Sequence, residues 1–75
     1  MYSIVIDNEV LDYSYKKSRE GYYFYVGDFY IGQLFYIRNA WTAVSILPNE
    51  LCPLSGFKTR FHASEFLLKL QGYVK

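Results

Sequence analysis

Apolar and polar positions alternate through most of the first 47 residues, and then change period. Tyr2 to Ile6 and Val10 to Tyr15 read as two short β-rich runs separated by the turn-like Asp7-Asn8-Glu9, an N-terminal hairpin. Lys16-Lys17-Ser18-Arg19-Glu20-Gly21 is the most polar stretch and ends in glycine, so it predicts an exposed connection. Three longer runs follow: Tyr22 to Val26, Phe29 to Arg38 and Trp41 to Leu47. Gly27-Asp28 joins the first two, because a two-residue loop beginning with Gly supplies the positive φ of a hairpin turn. Asn39-Ala40 joins the second and third, since Asn tolerates the left-handed region. From Pro48 to Ser55, two prolines and an Asn-Glu pair predict a loop that leaves the sheet.

The period then becomes helical. Thr59 is placed to cap a helix over 60–71, stopped by Gly72. Ala63, Phe66, Leu67 and Leu70 fall on one side, with Tyr73 continuing the stripe, so this side packs on the sheet. Phe61 and Leu68 point nearly the other way and predict a second, smaller apolar patch. Two readings stay open for it: cover by the N-terminal hairpin, or contact with a partner. The expected fold class is α+β: an antiparallel β-meander of three core strands plus an N-terminal hairpin, packed by one C-terminal helix, in one domain spanning 1–75.

Strand alternation sorts the side chains into two faces once hairpin register is set. With Val26 opposite Phe29 and Arg38 opposite Trp41, the helix side collects Tyr22, Phe24, Val26, Phe29, Ile31, Phe35, Ile37, Val44 and Ile46. The other side collects Tyr23, Tyr25, Tyr30, Gly32, Leu34, Tyr36, Arg38, Trp41, Ala43 and Ser45. Phe and aliphatic residues thus face the helix, while Tyr and Trp, which join an apolar body to a polar tip, face away. The segment YYFYVGDFY, six aromatics in nine residues, divides between the faces. Three readings of the Tyr/Trp face follow: a core layer closed by Tyr13 and Tyr15 of the folded-over hairpin, a partner or self-association surface, or a nucleic-acid surface.

Composition decides part of this. A 75-residue chain that is 52% hydrophobic and 21% aromatic is equipped to fold, but at a size where pairing with a partner often adds burial. Residues 1–12 carry three acids and no base, whereas the rest holds eight Lys and Arg against four acids, a net of +4. That tilt is modest beside the dense basic footprint of a dedicated nucleic-acid binder. One cysteine, Cys52, leaves a free thiol, which points to a reducing, cytoplasmic setting; no membrane-spanning run or basic signal-peptide start is read.

Catalytic chemistry lacks parts. His62 is the only histidine and lies beside Lys58 and Arg60 with no paired carboxylate or nucleophile, and Cys52 with one His has no zinc-site spacing. No enzyme, metal or cofactor is expected. Trp41 opening a strand, then Gly56-Phe57-Lys58-Thr59-Arg60 leading into a helix with Ala63, resembles the three-stranded-sheet-plus-helix domains of phage integrase arm-binding regions and plant ethylene-response transcription factors, over roughly 22–72. That resemblance implies DNA read by an Arg-rich sheet face, where this chain offers Arg38. In size and Tyr, Phe and Ile content the chain also looks like small bacteriophage accessory proteins, which implies binding to and blocking a host protein.

The expected function is therefore a non-catalytic binding protein, a phage-type accessory or inhibitor, whose Tyr23, Tyr25, Tyr30, Tyr36, Arg38 and Trp41 contact a protein, with a homodimer as one form of partner. The alternative is DNA or RNA on the same face, with Lys16, Lys17, Arg19, Lys58 and Arg60 as candidate phosphate contacts. No membrane partner and no small-molecule substrate are inferred.

Overall fold

A computed structural model describes residues 2–6 and 9–73; of Ile6 and Glu9 only the backbone is considered, and residues 7 and 8 of the predicted first turn lie outside the described set. The chain forms one antiparallel sheet with strands in sequence order: β1 (Tyr2–Ile6), β2 (Glu9–Lys17), β3 (Gly21–Val26), β4 (Phe29–Ile37), β5 (Ala40–Ser45) and β6 (Leu54–Phe57). Among the described residues one helix, α1 (Arg60–Leu70), follows. The class is α+β as expected, but six strands share the sheet where three core strands and a separate hairpin were predicted. β2 pairs directly with β3, with Tyr13 opposite Val26 and Tyr15 opposite Phe24. The N-terminal hairpin therefore extends the sheet and does not fold over it.

Two strand boundaries also differ. β2 runs on through Lys16 and Lys17, because each finds a partner in β3, and the connection shrinks to a tight turn in which Ser18 N–H donates to the Gly21 carbonyl at 2.9 Å. β6 forms inside the segment expected to be loop, since past Pro53 the chain returns and pairs antiparallel with β5.

α1 begins and ends as the sequence predicts. The Thr59 hydroxyl accepts from His62 N–H at 3.1 Å, while Gly72, at φ +81°, lets Tyr73 N–H reach the Leu68 carbonyl at 2.9 Å and so closes the last turn. What differs is the breadth of the buried arc. Ala63, Ser64, Leu67 and Leu68 are all buried, with Phe66 and Leu70 packed beside them. Leu68, expected on an outer patch, is only 1% exposed; Phe61 stays exposed and leans on Tyr13, ring centroids 6.3 Å apart.

The reason is curvature. Flat, the five strands from β2 to β6 at roughly 4.8 Å spacing span about 19 Å, nearly twice the roughly 10 Å width of one helix. Yet α1 touches both flanks: Ser64 Oγ lies 2.8 Å from the Tyr15 hydroxyl on β2, and Phe66 lies 5.4 Å from Phe57 on β6. The sheet must curl around the helix, and a helix held from three sides buries more than one stripe.

A bulge then exchanges the faces of β4 and β5. Phe24 pairs with Gly32 but Tyr25 pairs with Tyr30, so Ile31 is an extra residue and alternation slips by one. Leu34, Tyr36, Trp41 and Ala43 consequently share the helix side with Phe24, and Phe35 and Val44 move to the outer side, the reverse of the expectation. The core comprises Tyr13, Phe24, Val26, Ile31, Leu34 and Ala43 beneath Ala63, Leu67 and Leu68. Phe29 and Ile37, expected beneath the helix, are 70% and 50% exposed.

The β4–β5 turn also sits one residue earlier than expected. Ile37 pairs with Ala40, so Arg38 and Asn39 form the two-residue loop at φ +53° and +63°, and Tyr36, not Arg38, lies opposite Trp41. Two positive φ values match a type I′ turn, in which Arg is a poor first residue. Arg38→Asn is expected to stabilise the fold by roughly 0.5–1 kcal/mol, read as a higher urea midpoint at unchanged slope. A lower midpoint would show that the Arg38 side chain makes a stabilising native contact.

Candidate functional site: the open sheet face and the Trp41 cleft

The residues predicted to form one binding face separate onto two surfaces. Tyr23, Tyr25 and Tyr30 stay together on the side away from α1, as expected. Tyr25 stands opposite Tyr30 and Tyr23 opposite Gln33; the rings meet at 5.6 Å (Tyr25–Tyr30) and 5.8 Å (Tyr23–Tyr30) between centroids. Partial burial and the two neighbouring phenols raise the Tyr30 hydroxyl above the ordinary tyrosine range. Phe35, Ile37, Thr42 and Val44 continue this face across β4 and β5, because Phe35 pairs with Thr42, Gln33 with Val44 and Ile37 with Ala40. Each is at least partly exposed, and among the described residues no second layer packs on them.

The rim of this face is polar. Lys16 stands opposite Tyr23 on β2, Ser3 Oγ donates to Asp12 Oδ1 at 2.8 Å toward β1, and Arg38 marks the exposed β4–β5 turn. An uncharged aromatic and aliphatic centre thus lies inside a partly charged rim.

Tyr36 and Trp41 lie on the helix side, at the end of the sheet where α1 starts. There the rings run in a row: Tyr2 to Tyr15 at 5.5 Å, Tyr15 to Tyr22 at 6.0 Å, Tyr22 to Trp41 at 6.1 Å and Trp41 to Tyr36 at 5.3 Å. Arg60 leaves the first turn of α1 and lays its guanidinium over this row, 4.0 Å from the Tyr15 centroid and 4.7 Å from that of Tyr22. Ser64 Oγ donates to the Arg60 carbonyl at 2.8 Å, so the Tyr15 hydroxyl donates to Ser64 in turn. Burial raises the Tyr15 hydroxyl above its usual range.

The basic residues are dispersed accordingly. Lys16 faces outward, Lys17 faces inward opposite Tyr22, Arg19 lies in the β2–β3 turn, Lys58 is exposed before the helix cap, and Arg60 is engaged with rings. They do not form one phosphate track. Sequence reasoning missed Phe35, Ile37, Thr42 and Val44 as outer residues and Tyr15, Tyr22 and Arg60 as a cluster. The signal for the first set was Gly32, a glycine inside a strand pattern, which often marks a bulge; the second depends on sheet curl, which no local pattern encodes.

Among the described residues, no group of three or more His, Cys, Asp and Glu side chains could hold a metal ion, and no helix is long and apolar enough to cross a membrane. No protein-family model, no curated protein and no solved structure matches the chain. The geometry alone therefore carries the functional argument.

Proposed function

We propose that this chain is a non-catalytic binding protein that contacts another protein through the open sheet face centred on Tyr23, Tyr25 and Tyr30. The observation that supports this reading is that all six strands lie in one sheet, leaving Tyr30, packed on Tyr23 and Tyr25, uncovered together with Phe35, Ile37 and Val44. Tyrosine rings are frequent anchors of protein interfaces, since each brings large area and a hydroxyl at little entropic cost.

The partner is defined by complementarity. The face is the outer side of a curled sheet, so an apolar groove embraces it, whereas a second copy of the same convex surface meets it along a strip. Lys16 and Arg38 at the rim favour acidic residues bordering that groove. The lone thiol of Cys52 fits a reducing, cytoplasmic setting. Such a chain acts by occupying a surface on its target, as an accessory or inhibitor protein of the phage type does.

Capture from nuclease-treated lysate, followed by titration of the captured protein, tests this. Tyr25→Ala is expected to weaken the complex on the order of 30-fold (about 2 kcal/mol) and Tyr25→Arg to abolish it, while Tyr36→Ala leaves it within about twofold. Equal binding by wild type and Tyr25→Arg would overturn the proposal. So would sedimentation showing a homodimer that Tyr25→Arg dissociates, because a second copy would then occupy the face.

A further inference from the structure

The cleft beside Trp41 is separate from the open face and is used by nothing above. Tyr22, Tyr36 and Trp41 line it together with Lys17, Arg19, Glu20 and Gly21. The space is about 270 Å³, just under the roughly 300–1,000 Å³ of ordinary small-molecule sites.

Three observations select the ligand class. First, the ring surfaces are available: Tyr36 is 54% exposed and Trp41 partly exposed, because α1 begins at Arg60 and leaves this end of the sheet uncovered. Exposed aromatic surface on one side of the depression favours a flat ligand laid against it. Second, the lining holds two cations against one carboxylate, a net positive charge that favours an anionic group. Third, Arg60 already lies over Tyr22 and Tyr15. The ring row is therefore already occupied by one cation, and an ammonium ligand, the usual guest of an aromatic cage, would meet repulsion from Arg60, Lys17 and Arg19.

We infer that this cleft binds a nucleotide: the base against Tyr36 and Trp41, the phosphate at Lys17 and Arg19, and Glu20 accepting from an N–H of the base. A flat heterocycle carrying an anion satisfies all three observations, and the volume suits one nucleotide, not a stacked pair. The same chemistry is offered by a free mononucleotide and by one nucleotide of a single strand, so both serve as probes. The inference does not depend on the open face.

Trp41 is the only tryptophan, so its fluorescence reports directly on the cleft. Titration with adenosine 5′-monophosphate and with a short 5′-phosphorylated single-stranded DNA is expected to quench Trp41 saturably. Tyr36→Ala should weaken binding on the order of tenfold through lost stacking, and Lys17→Ala with Arg19→Ala should weaken it and flatten its salt dependence. Tyr25→Arg, on the other face, should leave it unchanged. Matching affinities for the two probes would identify the free nucleotide as the ligand; tighter binding of the DNA would identify the strand. Absence of saturable quenching by both probes, tighter binding of tetramethylammonium, or an unchanged affinity in a folded Tyr36→Ala variant would overturn the inference.

Discussion

Phe24→Ala is expected to destabilise the fold by roughly 3–5 kcal/mol, measured by urea unfolding followed at Trp41. Phe24 is the largest of the fully buried side chains. Tyr13 and Tyr15 pack against it at 6.0 and 5.5 Å between ring centroids, and the bulge opposite it adds Ile31 to the same side. Truncation leaves a cavity whose walls are held by the β2–β3 and β3–β4 ladders and cannot collapse freely. A domain of this size has only about 4–11 kcal/mol in total, so a large share of the variant should be unfolded at physiological temperature. A loss below about 1.5 kcal/mol would show that Phe24 is not the centre of this core.

Gly32→Ala should be nearly as damaging, with a loss of about 2–3 kcal/mol or more by the same measurement. A Cβ there would press on the Val44 carbonyl oxygen, which belongs to the β4–β5 pairing, and would lie 3.2 Å from Leu67 Cδ1. Backbone cannot retreat without breaking the ladder, and Leu67, fully buried, has little room to turn. Gly32 thus sets how closely α1 approaches the sheet. A variant as stable as the native chain would mean that the helix stands further from β4 than described.

Local chemistry made some of this legible in advance. Thr59 as a cap, Gly72 as a stop and Gly27-Asp28 as a two-residue turn were all readable, because each depends on a few adjacent residues. The division of Tyr22 and Phe24 from Tyr23 and Tyr25 was readable too, since alternation within one strand needs no long-range information. What failed were features that depend on distant partners. One extra residue at Ile31 reversed the faces of two strands, and with them Tyr36, Trp41, Phe35 and Val44. The β4–β5 turn falls on Arg38-Asn39, a register that pairs Tyr36 with Trp41 despite the poor fit of Arg to a left-handed position. Leu68 became core only because the sheet curls far enough for strands on both flanks to touch one helix.

The candidate site shows the same division. Tyr23, Tyr25 and Tyr30 were identified together because they precede the bulge on one strand or pair across the tight turn. Tyr36, Trp41 and Arg38 were grouped with them through a register that the fold does not adopt. The consequence is two surfaces of different chemistry, an uncharged open face and a small basic-rimmed cleft, in place of one mixed array.

Nitration of individual tyrosines, mapped by mass spectrometry with and without the captured protein partner, tests the binding role of the open face most directly. Tyr23 and Tyr25 should react in the free chain, Tyr30 more slowly because burial and its neighbouring phenols oppose its ionisation, and all three should become protected when the partner is added, while Tyr36 stays reactive. Protection of Tyr36 with Tyr23, Tyr25 and Tyr30 left unchanged would contradict the account.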